Sequence, residues 1–180
     1  LIEPAKVART ALKLEQSGAR YLFISDSAFN ADIAHSLAVA EQFRQVGLSI
    51  PWGAFLAPLV LPPDYFTRLA QAGLTHVEFG TESLSNRMLK TYGKPFDRNQ
   101  VFRSHQAAVD AGLHVAHYLL LGGPGESAQT LDSTLKHVEE LKKTVLFFFC
   151  GIRIYPHTRL YDRALADGQI DANQDLLAPV

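Results

Sequence analysis

Four glycines constrain this chain more than any other feature. Gly18, Gly47, Gly73 and Gly112 each close a helix-like run, and each is followed by an apolar residue or Ala and then a strand-like run. Glycine just past a last helical turn supplies the left-handed backbone that ends a helix. The intervals between them are 29, 26 and 39 residues. Repeats of that length are the size of successive strand–helix units of a parallel sheet. The longest interval points to an insertion.

Taken in order, the apolar pattern predicts helices over 4–17, 32–46, 64–72, 98–111, 127–142 and 159–167, with a further short helix over 84–90 inside the insertion 84–96. Strands are predicted over 20–26, 48–56, 75–82, 114–121 and 145–155. Residues 21–24 read as a strand buried on both faces. Asp97 to Gln100 reads as a capping box for the fourth helix. Five strands alternating with helices fit most of a six-unit α/β open barrel, a partial TIM-like (β/α)6 parallel sheet whose first strand lies before Leu1. A small doubly wound sheet gives the same alternation. Residues 1–167 are assigned to the barrel core, and 168–180 to a tail leading to a missing C-terminal region.

Composition excludes several classes of function. With 47% hydrophobic residues, the 180-residue chain has ample material for a core. A net charge of −1, with 17 basic and 18 acidic residues scattered along it, gives no general attraction for nucleic acid or anionic lipid. The longest apolar run, 145–152, is far short of the roughly 20 residues of a membrane span. One cysteine allows neither an internal disulfide nor a cysteine-only metal site. A cytoplasmic location is expected. Leu1 is not an initiator methionine, so the chain is read as a fragment or a processed product.

Every strand-to-helix loop of such a fold faces the same end, where ligands sit. The stretch 76–83 carries the strongest signal. Val77, Phe79 and Thr81 fall on one side, and His76, Glu78, Gly80 and Glu82 on the other. Ionisable groups on one side of an apolar strand need something to meet them. The competing reading is a half-exposed edge strand. Glu82 at the strand tip can accept two hydrogen bonds from a diol, and Asp26 can bind an ammonium. Gly122-Gly123-Pro124-Gly125-Glu126 matches neither a dinucleotide fingerprint nor a P-loop. Its glycines either let backbone approach a flat ligand or serve a turn needing positive φ, and Glu126 reads as a helix cap. Arg153 shares parity with Phe147 and Phe149, and pairs either with a ligand carboxylate or internally with Glu78. His35, His105 and His137 are assigned to helix surfaces, and Cys150 to a buried apolar position. No histidine pair has metal-ligand spacing.

These loops together resemble the radical S-adenosylmethionine superfamily. The resemblance runs through Phe23-Ile24-Ser25-Asp26-Ser27-Ala28-Phe29-Asn30, Val77-Glu78-Phe79-Gly80-Thr81-Glu82-Ser83 with Leu89 and Gly93-Lys94, Leu120-Leu121-Gly122-Gly123-Pro124-Gly125-Glu126-Ser127 with Thr130, and Ile154-Tyr155-Pro156-His157-Thr158-Arg159-Leu160-Tyr161. It is closest to the cobalamin-binding branch that includes anaerobic magnesium-protoporphyrin monomethyl ester cyclases. It implies a partial barrel, a [4Fe–4S] cluster on three cysteines, and S-adenosylmethionine on the open iron, cleaved reductively to a 5′-deoxyadenosyl radical that abstracts hydrogen. It places Asp26 at the methionyl amino group, Glu82 and Ser83 at the ribose, Leu121, Gly122 and Gly123 beside the adenine, Tyr155 at the last adenine contact and Arg153 at the methionyl carboxylate. It further implies a small organic substrate, a tetrapyrrole or a lipid, an external electron donor, and cobalamin for the full-length enzyme.

The chain departs from the family at two points, the lesser being Leu56-Ala57-Pro58, which lacks a basic residue that relatives often carry near there. The greater is that it has no C-x-x-x-C-x-x-C, and one cysteine cannot hold the cluster. Those cysteines are expected upstream of Leu1, so the chain by itself is expected to cleave nothing. An ordinary barrel lyase or hydrolase ranks lower, since it would want a lysine, a histidine pair or a metal triad at the strand tips. A barrel-like binding module without a cluster is the remaining alternative.

Overall fold

The computed structural model describes residues 1–176. The chain runs α1 (Pro4–Gln16), β1 (Leu22–Ile24), a 3-10 turn (Phe29–Ala31), α2 (Ile33–Gln45), β2 (Trp52–Leu56), α3 (Tyr65–Gln71), β3 (Leu74–Glu82), α4 (Asn86–Thr91), α5 (Arg98–Asp110), β4 (His114–Leu121), α6 (Ala128–Val138), β5 (Thr144–Cys150) and α7 (Arg159–Ala166). The five strands stand in sequence order, β1-β2-β3-β4-β5, each parallel to the next. A doubly wound sheet reverses its strand order part-way. This one does not, so the structure decides for the barrel-type α/β fold, with an unclosed five-stranded parallel sheet. β3 lies at its centre, which removes the edge-strand reading of 76–83.

Helices packed on one face bury the core. Trp52 is fully buried between Phe29 and Phe43, edge-on to both at centroid distances of 5.6 and 5.3 Å. Its indole N–H donates to the Ala72 carbonyl at 2.8 Å, so the largest core side chain has no unmet donor. Tyr65 is also buried and meets the Ser36 hydroxyl at 2.8 Å, and burial pushes its own hydroxyl up to about 12. A second cluster, Leu84, Val101, Leu119, Val138 and Leu141, anchors α5 and α6 on the β3–β4 half.

Several expectations are corrected. β1 is three residues long and half-buried, because it is an edge strand and Phe23 faces the open side of the sheet. β5 ends at Cys150, where Gly151 turns the chain at φ +88°. Cys150 is exposed, not buried, since it ends the other edge strand. α6 stops at Val138, four residues short of the predicted end. Asp97 caps α5 through the Gln100 N–H at 2.7 Å, but Gln100 does not close a capping box. Its amide instead donates to the Leu59 carbonyl at 2.7 Å, tying down the Pro-rich loop. Residues 168–176 form no regular element, and 177–180 of the predicted tail lie outside the described residues. Among the described residues no helix is long and apolar enough to cross a membrane.

Candidate functional site

The carboxyl ends of β1 to β5 converge on one rim. Asn30 organises its first part. It is fully buried, and its amide donates to the Ala57 carbonyl at 2.7 Å while its oxygen accepts from the Ala57 N–H at 2.8 Å. One side chain thereby locks the loop after β1 to the loop after β2. Asp26 stands exposed just before it.

β3 delivers the central acid. Glu82 closes the strand with φ +64°, a left-handed backbone uncommon outside glycine. The pairing with β4 shifts at this point, between Gly80 and Glu82. Glu82 Oε1 accepts from Lys94 Nζ at 2.9 Å, a part-buried pair contributed by the insertion. Ser83, one residue on, is buried. Its hydroxyl meets the Thr134 hydroxyl at 2.9 Å and accepts from the Ser85 N–H at 3.0 Å, so it pins α6 to the strand tip.

The glycine loop packs against the insertion. A Cβ on Gly123 would stand 2.0 Å from the Tyr92 hydroxyl, so only glycine admits the ring. Burial, then the Glu126 and Glu82 carboxylates, push that hydroxyl's pKa up. Glu126 accepts from the Gly122 N–H rather than capping α6. The cap is Ser127, in a reciprocal box with Thr130. A cleft of about 540 Å³ opens here, lined by Glu82, Tyr92, Lys94, Leu120, Arg159 and Arg163 among others. A smaller one of about 260 Å³ adjoins it on the side of Gly122, Gly123 and Asp167. Thr158 caps α7 by accepting from the Tyr161 N–H at 3.2 Å, which sets Arg159 and Arg163 one turn apart over the cleft.

The structure therefore brings together Glu82, Gly122 and Gly123 of the predicted set. Asp26, Ser83, Leu121, Arg153 and Tyr155 line neither cleft. Arg153 and Tyr155 are exposed, and Glu78 is paired with His76 at 3.3 Å, not with Arg153. Lys94, Tyr92, Arg159 and Arg163 are additions. Only the Gly93-Lys94 dipeptide and the i, i+4 arginines hinted at them.

A second polar feature lies behind the strand tip. Thr81 Oγ1 is 2.6 Å from His117 Nδ1, His117 Nε2 is 3.0 Å from His105 Nδ1, and His105 Nε2 is 2.9 Å from the Lys142 carbonyl. All three side chains are buried, which corrects the helix-surface reading of His105. A carbonyl only accepts, so His105 carries its proton on Nε2 and accepts on Nδ1. His117 then donates from Nε2, and Thr81 donates to His117 Nδ1. Burial lowers the His105 pKa, and burial followed by the neighbouring His105 lowers that of His117 to about 3. Both imidazoles are therefore neutral.

The family description "Radical SAM superfamily" matches residues 1–138. The chain belongs to that superfamily. An uncharacterized methyltransferase of Pyrococcus horikoshii is 26% identical over 150 residues, 83% of this chain and 32% of that protein. Tryptophan 2-C-methyltransferase of Streptomyces laurentii is 26% identical over 162 residues, covering 82% of this chain and 27% of the other. The radical S-adenosylmethionine methyltransferase TsrM of Kitasatospora setae, solved with cobalamin and a [4Fe–4S] cluster, superposes with a TM-score of 0.83 at 21% identity, over 92% of this chain and 34% of that one. TsrM shares the fold, and the chain spans about a third or less of the length of each of these proteins.

Proposed function

We propose that this chain is the S-adenosylmethionine-binding core of a cobalamin-branch radical SAM enzyme, with residues 1–167 as the folded unit and 168–180 as a tail. The observation that carries this reading is the strand tip at Glu82. A carboxylate held in left-handed backbone beside a cleft fits a ribose diol, and the Gly122-Gly123 backbone leaves room for a flat base. Asp26 takes the methionyl ammonium at the same rim, Arg153 the methionyl carboxylate, and Tyr155 and Leu121 border the adenine. Ser83 acts from behind, by holding α6 to the tip that carries Glu82.

The chain's own residues do not fit an iron–sulfur cluster. Its one cysteine ends an edge strand, and among the described residues no group of three histidines, cysteines or acids gathers at one point. No step through a cluster is therefore assigned to them. Reductive cleavage of S-adenosylmethionine, hydrogen abstraction, the electron donor and cobalamin belong to the whole enzyme under this reading. The relatives named above are methyltransferases, which favours transfer to a small organic molecule. The finer likeness to anaerobic magnesium-protoporphyrin cyclases, with a tetrapyrrole or lipid substrate, rests on the loop segments alone.

Glu82→Ala tests the site. Losing two charge-assisted hydrogen bonds weakens S-adenosylmethionine binding about tenfold or more in equilibrium dialysis, with circular dichroism unchanged. Unaltered affinity in a folded variant removes Glu82 from the site.

A further inference from the structure

Both groups that the proposed site offers to a nucleoside are already occupied, and by side chains of one short tip. Gly123 is buried, because the Tyr92 ring lies where a side chain at 123 would stand. Glu82 Oε1 accepts from Lys94 Nζ at 2.9 Å. Tyr92 and Lys94 flank Gly93, which turns the chain at φ +66° just past α4. Within 90–95 they are the only two residues that are not exposed. The tip therefore touches the molecule at the two points assigned to the base and to the ribose diol.

The backbone under the tip is fixed. Met88 and Leu89 of α4 are buried, and the Lys94 N–H donates to the Leu89 carbonyl at 2.9 Å. The two side chains are held less well. The Tyr92 hydroxyl and Glu126 Oε1 are both buried at the glycine loop, and neither has a hydrogen-bond partner among the described residues. A polar atom buried in that way loses its bonds to water and receives none in exchange. Rotating the ring off Gly123 returns the hydroxyl to water. The Lys94 side chain is 26% exposed, so its long stem can carry the ammonium back to water when Glu82 is taken.

We infer that Tyr92 and Lys94 form a gate over the nucleoside end of the site, Tyr92 in place of the base and Lys94 in place of the diol, and that S-adenosylmethionine binds by displacing both. The inference deepens the proposed function and rests on it. A diol places one hydroxyl on each oxygen of a carboxylate, and Lys94 holds one of those oxygens. A base laid flat on Gly123 meets the Tyr92 ring. Both contacts compete with the ligand, so the closed gate weakens binding according to the fraction of molecules in which it stands open.

The test turns on sign, because residues that hold the ligand and residues that compete with it respond in opposite directions. S-adenosylmethionine affinity is measured by equilibrium dialysis on the full chain. Tyr92→Ala and Lys94→Met, with circular dichroism unchanged, are each expected to tighten binding about threefold or more. In the unsubstituted chain, saturating S-adenosylmethionine is expected to raise nitration of Tyr92 by tetranitromethane severalfold, read by peptide mass mapping. That measurement and Lys94→Met decide the matter if Tyr92→Ala does not fold. Equal or weaker binding by either folded variant, or unchanged or reduced nitration of Tyr92 at saturation, overturns the gate. If S-adenosylmethionine binds through Glu82 and the variants do not tighten it, this inference alone is lost. If neither the unsubstituted chain nor either variant binds S-adenosylmethionine, the proposed function is lost and the gate with it.

Discussion

His117 shows how one buried side chain ties stability to pH. It is neutral in the fold because burial and the adjacent His105 both disfavour charge. In the unfolded chain its pKa returns to about 6.5. Unfolding therefore takes up a proton below pH 6.5, and stability falls as pH drops from there toward the folded value of about 3. The contribution is fully present above pH 6.5. Urea unfolding between pH 7 and pH 5 is expected to show a loss of up to about 1.4 kcal/mol per pH unit from this residue. His105 adds to the slope in the same direction. In His117→Gln the part due to residue 117 disappears, so a variant with an unchanged slope contradicts the assignment.

At the scale of elements, the loops hold one another through single side chains. Asn30→Ala removes both hydrogen bonds to Ala57 and takes from the part-buried Ala57 N–H its acceptor, while the carbonyl keeps the Leu59 N–H, at a cost of about 1–2 kcal/mol in thermal or urea unfolding. Gly123→Ala drives a methyl into the Tyr92 ring and is expected to cost about 1–3 kcal/mol. Combining it with Tyr92→Leu costs less than the two changes separately, a coupling that a double-mutant cycle reads directly. The sequence made these elements legible wherever the cue is local. The glycines marked the units, and period-2 parity put Val77, Phe79 and Thr81 inward and Glu78 and Glu82 on the other face, as β3 shows. It did not disclose the contacts made by chain far away. Lys94 reaches Glu82 across the insertion, His105 is buried because α5 lies against β4 and the Lys142 turn, and Arg159 and Arg163 come over the cleft only once α7 folds back. Beyond the i, i+4 spacing of the two arginines, none of these has a periodicity to betray it.

At the scale of the molecule, the sheet is covered by helices on one side only. Val145, Phe147 and Phe149 are 55, 42 and 48% exposed, a contiguous apolar strip on an edge strand. Such a strip favours association. The 180-residue chain is expected to self-associate with rising concentration in sedimentation velocity, and Phe147→Ser with Phe149→Ser to shift it toward monomer. A monomeric wild type at high concentration contradicts this. The strand order carries one more consequence, for how the molecule is made. Each strand pairs with the one synthesised just before it, and none waits for a partner at the far end of the chain. A ribosome releasing this chain from its N-terminus therefore offers every new strand a finished edge, and the sheet can zip up in the order of translation without rearranging what has already folded.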